Sequence, residues 1–186
     1  EGDQSPKDAT GADNFEKVRD YGSRLANAAI PILASIATRT GVPIAITRAT
    51  PPLPELIFPE AAAKKFGAFQ EAARAGLPRN AELHLLQIGD TVLVGLPGEP
   101  LLITAQTVEK SVIGAGYASA IVVGLANDYI GYLVNDTEYA HGGYEVESRS
   151  YYGPGLGAFL AGEAGKLAAS MASGNAVQHL SRKSDK

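Results

Sequence analysis

The hydrophobic pattern of this chain changes period several times, and each change marks an element. From Asn14 to Ile36 the apolar residues recur at helical spacing: Phe15, Val18, Leu25, Ile32 and Ile36 share one side, and Pro31 predicts a kink. Val42–Thr50 (VPIAITRAT) reads as a strand, and PPLPELIFP as a proline-punctuated connector. Glu60–Ala75 is alanine-rich and helical, stopping at Gly76 with Pro78 just beyond. Two β-type runs, Glu82–Ile88 and Thr91–Leu96, are joined by Gly89-Asp90, which predicts a hairpin. Pro100–Gly114 reads as a helix and Ala118–Leu125 (ASAIVVGL) as a buried strand, so a βαβ unit follows the hairpin. The stretch NDYIGYLVNDTEYAHGGYE reads as loop, and Gly155–Ser173 as a last helix rich in small residues. The expected fold class is therefore mixed α/β: a mixed sheet flanked by helices, in one domain spanning 1–186.

Composition narrows the function classes. A net charge of −4, without a basic stripe, argues against nucleic acid as a partner. The basic tail Ser181–Lys186 reads as a solvated end. With no cysteine, thiolate nucleophiles and thiolate metal sites are excluded. The three histidines, His84, His141 and His179, fall at no metal-binding spacing. His84 lies within a predicted strand, His141 within reach of a site, and His179 near the solvated tail.

Three features are left to carry chemistry. Glu99, in LVGLPGEPLL, stands between Pro97 and Pro100 where a strand hands over to a helix. It is either a helix-start carboxylate favoured by the helix dipole or a metal ligand or general base held on a stiff turn. Tyr129, Tyr132, Tyr139 and Tyr144 cluster directly after the strand of the βαβ unit, so they emerge at the same sheet edge. They serve either as packing with a wet hydroxyl or as zinc ligands and oxyanion donors. Ser5, in GDQSP, suits a turn as well as a nucleophile that lacks a neighbouring base.

In order along the chain, GDQSP, LVGLPGEP, GLANDYIGYLVNDTEYAHGGYE and YYGPGLGAF resemble the landmarks of the neutral, non-lysosomal ceramidase family. Those landmarks are a GDVSPN serine motif, a strand with a PGE turn, and a series N-x-Y-x-x-Y, E-E-Y, Q-x-Y-E and Y/F-G-P. The resemblance implies that Glu99 and Tyr132 bind zinc and that Tyr144 stabilises the oxyanion of the attacked amide. It implies that Ser5 acts as nucleophile or substrate-positioning group. The implied reaction is hydrolysis of the N-acyl amide of ceramide, giving fatty acid and a sphingoid base. A lipid substrate with peripheral membrane contact and a secreted or periplasmic setting follow from the same resemblance. The family's zinc-binding histidines precede its serine motif, so the chain is expected to be the C-terminal half of a catalytic domain whose N-terminal half lies outside it. Lys7 and Gln4 replace an asparagine and a valine of the serine motif, and YEVESRS replaces YEGAST, adding Glu147 and Arg149. The stretch from Ser5 to Glu99 is shorter than in the family. A non-catalytic lipid- or partner-binding relative is the alternative reading.

Overall fold

The structure, a computed structural model, describes residues 3–174 and the backbone of Gln178–His179. The basic tail, Gly2 of the serine motif and the His179 side chain lie outside the described residues. The chain divides into two compact units: Gln4–Val42, and Asp3 with the residues from Pro43 onward.

The smaller unit is a loop followed by helix α1 (Asn14–Ser35). Asp13 caps the helix, accepting from the Glu16 N–H at 2.8 Å, while the Glu16 carboxylate reaches back to the Ala12 N–H at 2.7 Å. The first bond satisfies one of the donors that a helix start strands, and the second ties down the residue just before the cap. Pro31 sits inside one continuous helix, and none of the helix's residues is buried. The loop is tied to the helix by Asp20, which accepts from the Thr10 N–H at 2.9 Å. That hydrogen bond is the main reason the Asp20 carboxyl is held below its ordinary value.

In the larger unit, strand β1 (Ile44–Ala49) pairs antiparallel with β2 (Leu83–Ile88), and β2 with β3 (Thr91–Gly95). The β2–β3 hairpin turns on Gly89, whose φ of 67° is the region a side chain disfavours. After β4 (Glu99–Pro100), helix α4 (Leu102–Ile113) crosses over to β5 (Ser119–Val123), which runs parallel to β3. With β7 (Gln178–His179) beside β1, the sheet order is β5-β3-β2-β1-β7. Hairpin, βαβ unit and mixed sheet thus agree with the periodicity.

The core lies on one face of this sheet. Leu83, Leu85, Val92 and Val94 alternate inward and meet Val108 and Val112 of α4 and Leu156, Leu160 and Ala164 of α7 (Leu156–Ala172). Small residues on α7 permit close approach to α4: a methyl on Gly165 would sit 3.3 Å from the Ser111 Cβ. Among the described residues, no helix is long and apolar enough to cross a membrane.

Three sequence expectations change. The run ASAIVVGL suggests a strand buried on both faces, but β5 is the sheet's edge, with Ile121 and Val123 exposed. The helix expected over Glu60–Ala75 breaks at Gly67, where φ is 48°, into α2 (Glu60–Phe66), a 3-10 turn (Gly67–Phe69) and α3 (Gln70–Gly76). The tyrosine-rich stretch holds more than loop: β6 (Tyr132–Leu133), α5 (Asp136–His141) and α6 (Tyr144–Arg149). Helix α5 starts because Asn135 accepts from the Glu138 N–H at 2.9 Å, an N-cap pattern with glutamate three residues on.

Candidate active site

Beyond β3 the chain makes the turn Leu96-Pro97-Gly98-Glu99, and the segment after β5 lies against it along its whole length. Leu96 donates to the Val123 carbonyl and receives from Ala126; the Gly98 carbonyl receives from Leu125, and that of Pro97 from Ile130. Glu99 then donates to the Gly131 carbonyl at 3.0 Å, and Leu101 to that of Leu133 at 3.3 Å. These bonds make β4 and β6 a parallel pair in which Glu99 stands opposite Tyr132. A methyl on Gly98 would strike the Gly131 carbonyl, and one on Gly131 the Arg149 carbonyl. Gly131 also holds a φ of 95°, so both glycines are required by the approach of three backbones.

Side chains gather on this pair. The Tyr129 hydroxyl donates to Glu99 Oε1 at 3.2 Å. Tyr144, at the first position of α6, sets its ring edge-on to Tyr132 at 6.1 Å between centroids and is itself 71% exposed. The Arg149 guanidinium lies 5.9 Å from the Tyr129 ring centroid, within cation–π range. A hydrogen bond to the Tyr129 side chain is the leading reason the Arg149 pKa is raised. Burial first, and the Glu99 carboxylate second, push the Tyr132 phenol above its ordinary value.

The two readings of Glu99 separate here. Helix α4 begins only at Leu102, its cap is Leu101, and no acidic residue lies in its first turn. The Leu102 N–H is instead satisfied by Asp3 Oδ1 at 3.0 Å, ninety-nine residues away in sequence. Glu99 therefore does not cap the helix; its carboxylate faces phenols.

Of the residues singled out from sequence, Glu99, Tyr132 and Tyr144 are brought together. Ser5 is an exposed loop residue of the smaller unit. Tyr139 joins a packing cluster with Leu101, Val134 and Val146, as a structural tyrosine does. His84 spends Nε2 on Glu82 at 2.9 Å, and His141 lies 3.8 Å from Glu138 with its ring largely exposed. Among the described residues no three His, Asp or Glu side chains form a cluster fit for a metal. What the chain offers a cation is a pair of hard oxygen donors, Glu99 and Tyr132. As hard oxygen donors they match part of the ligand set that zinc accepts. Asp3 and Tyr129 carried no separate signal: one acts over a long sequence distance, the other is one of four tyrosines in sixteen residues.

No family model matches the sequence. Curated relatives do. The neutral ceramidase of Mycobacterium tuberculosis is 35% identical over 66 residues, which is 34% of this chain and 10% of that protein. Neutral ceramidase B of Dictyostelium discoideum is 34% identical over 106 residues, which is 54% of this chain and 15% of that protein. Over those stretches the chain is similar to neutral ceramidases. The crystal structure of neutral ceramidase from Pseudomonas aeruginosa shares the fold, with a TM-score of 0.71 over 97% of this chain at 18% identity. A second solved ceramidase, complexed with C2, gives 0.64 over 94% at 16% identity. This chain covers 37% of each of those two chains, so it spans little more than a third of the solved ceramidases.

Proposed function

We propose that this chain forms part of a zinc-dependent amide hydrolase that cleaves ceramide or a ceramide-like N-acyl lipid into fatty acid and sphingoid base. The observation that carries the reading is the register of β4 on β6, which sets Glu99 beside Tyr132 at the point where two strands end. Ligands of open α/β sheets gather at such carboxyl ends. In this reading Glu99 and Tyr132 hold the zinc ion, with imidazole ligands from protein outside this chain. When bound there, zinc would lower the pKa of a coordinated water to about 7 and so make hydroxide available at neutral pH.

The chain's own residues do the rest. Hydrolysis forms a C–O bond at the acyl carbon and breaks the C–N bond, and the departing amine takes up a proton. Between these events the carbonyl oxygen carries negative charge. In this reading Tyr144, exposed and edge-on to Tyr132, donates its phenolic proton in a hydrogen bond to that oxygen. Ser5 is assigned as nucleophile or as the group that positions the acyl carbonyl. A lipid substrate implies contact with a membrane surface, and a secreted or periplasmic setting accompanies this reading.

The test is Tyr144→Phe in the full-length protein, assayed on an N-acyl sphingosine. An oxyanion donor is worth about 10²–10³ in kcat, so turnover falls by that factor with zinc content unchanged. Undiminished turnover removes Tyr144 from the mechanism. If the unaltered protein shows neither zinc nor turnover, the non-catalytic binding relative is the correct reading.

A further inference from the structure

Tyr129 departs from both roles expected of a tyrosine in this cluster. It is 42% exposed, so packing does not account for it, and it does not stand in the β4–β6 ladder. Its hydroxyl is nevertheless committed to Glu99 Oε1. At 3.2 Å the bond is long for O–H···O.

The backbone around Tyr129 is held unusually firmly for an exposed residue. On one side Asp128 Oδ2 accepts from the Glu82 N–H at 3.1 Å; on the other the Ile130 N–H donates to the Pro97 carbonyl at 2.8 Å. The turn leading into it places two non-glycine residues, Leu125 and Asn127, at φ of 56° and 70°. Conformations of this kind persist where surrounding structure imposes them. Here the imposing structure is the PGE turn itself, since Leu96 and Gly98 hold Ala126 and Leu125. Arg149 completes the arrangement from α6. Its guanidinium lies over the Tyr129 ring, 5.9 Å from the centroid, while the Tyr129 hydroxyl donates to Glu99.

We infer that Tyr129, backed by Arg149, is a positioning residue: it fixes the Glu99 carboxylate through Oε1 so that one oxygen remains for a divalent cation. The inference rests on the metal reading of Glu99 and deepens it. Groups that hydrogen-bond a metal's ligands set ligand orientation, and losing one typically costs 10–100-fold in metal affinity.

The experiment is zinc affinity, by competition with a chelator, in the full-length protein and its Tyr129→Phe and Glu99→Ala variants, with unfolding midpoints of the metal-free forms. Tyr129→Phe keeps the ring and removes only the donor. Its affinity is expected to fall about tenfold to a hundredfold, while its metal-free midpoint moves no more than for an ordinary surface substitution. Glu99→Ala is expected to lose zinc. If Glu99→Ala loses zinc but Tyr129→Phe keeps the parent affinity, the positioning role is overturned and the metal reading stands. If Glu99→Ala itself binds zinc as the parent does, the metal reading falls and the inference with it.

Discussion

The larger unit contains two β arrangements built on opposite terms. The five-stranded sheet is sustained by repetition: six Cα pairs between β1 and β2, five between β2 and β3, and a buried face of leucine and valine. The β4–β6 pair has two residues a side and survives because loops on both flanks are hydrogen-bonded into it and two glycines let the backbones meet. Stability in the first comes from apolar burial, which tolerates substitution in proportion to lost contact. The second is geometric, so it is exacting at a few positions. The proposed metal ligands Glu99 and Tyr132 stand on the exacting one, opposite each other in its register.

The sharpest way to break that comparison is a pair of variants. Leu85→Ala, in the buried face, is expected to lower unfolding stability by about 2–5 kcal/mol while the folded fraction keeps its zinc affinity. Gly131→Ala is expected to cost about 3 kcal/mol or more, from a positive φ and collision with the Arg149 carbonyl, and to weaken zinc binding as well. Denaturant unfolding and zinc titration of both variants decide it. Full zinc affinity in Gly131→Ala contradicts the claim that the pair positions Glu99.

A smaller effect sharpens the same point. Asp3→Ala removes the side-chain acceptor of the Leu102 N–H, and caps of this type are worth about 0.5–2 kcal/mol. The helix that follows Glu99 is then less firmly seated, so the unfolding midpoint falls slightly. No change at all means that water replaces Asp3 without loss.

What was legible from sequence follows the same division. Alternation over five or six residues marks β2 and β3, and a glycine-aspartate turn joins them. A two-residue strand has no period to read, so β4 and β6 are invisible without the fold. The break at Gly67 was hidden because alanine-rich composition continues on both sides of it. Glu99 was visible as an oddity, but ruling out the cap needed the position of Leu102 and its partner Asp3. Spacing likewise could not sort the tyrosines. Tyr129 reaches the Glu99 carboxylate, Tyr144 sits edge-on to Tyr132, and Tyr132 and Tyr139 both pack the small core of Leu101, Val134 and Val146, because α5 and α6 turn the chain between them. The order of motifs resembling the neutral ceramidases carried the functional expectation that periodicity could not.

The most direct test of the central claim is elemental analysis of zinc in the full-length protein and in Glu99→Ala. The account predicts about one equivalent per chain in the first and none in the second, with the variant still folded. Equal zinc in both, or none in either, contradicts it.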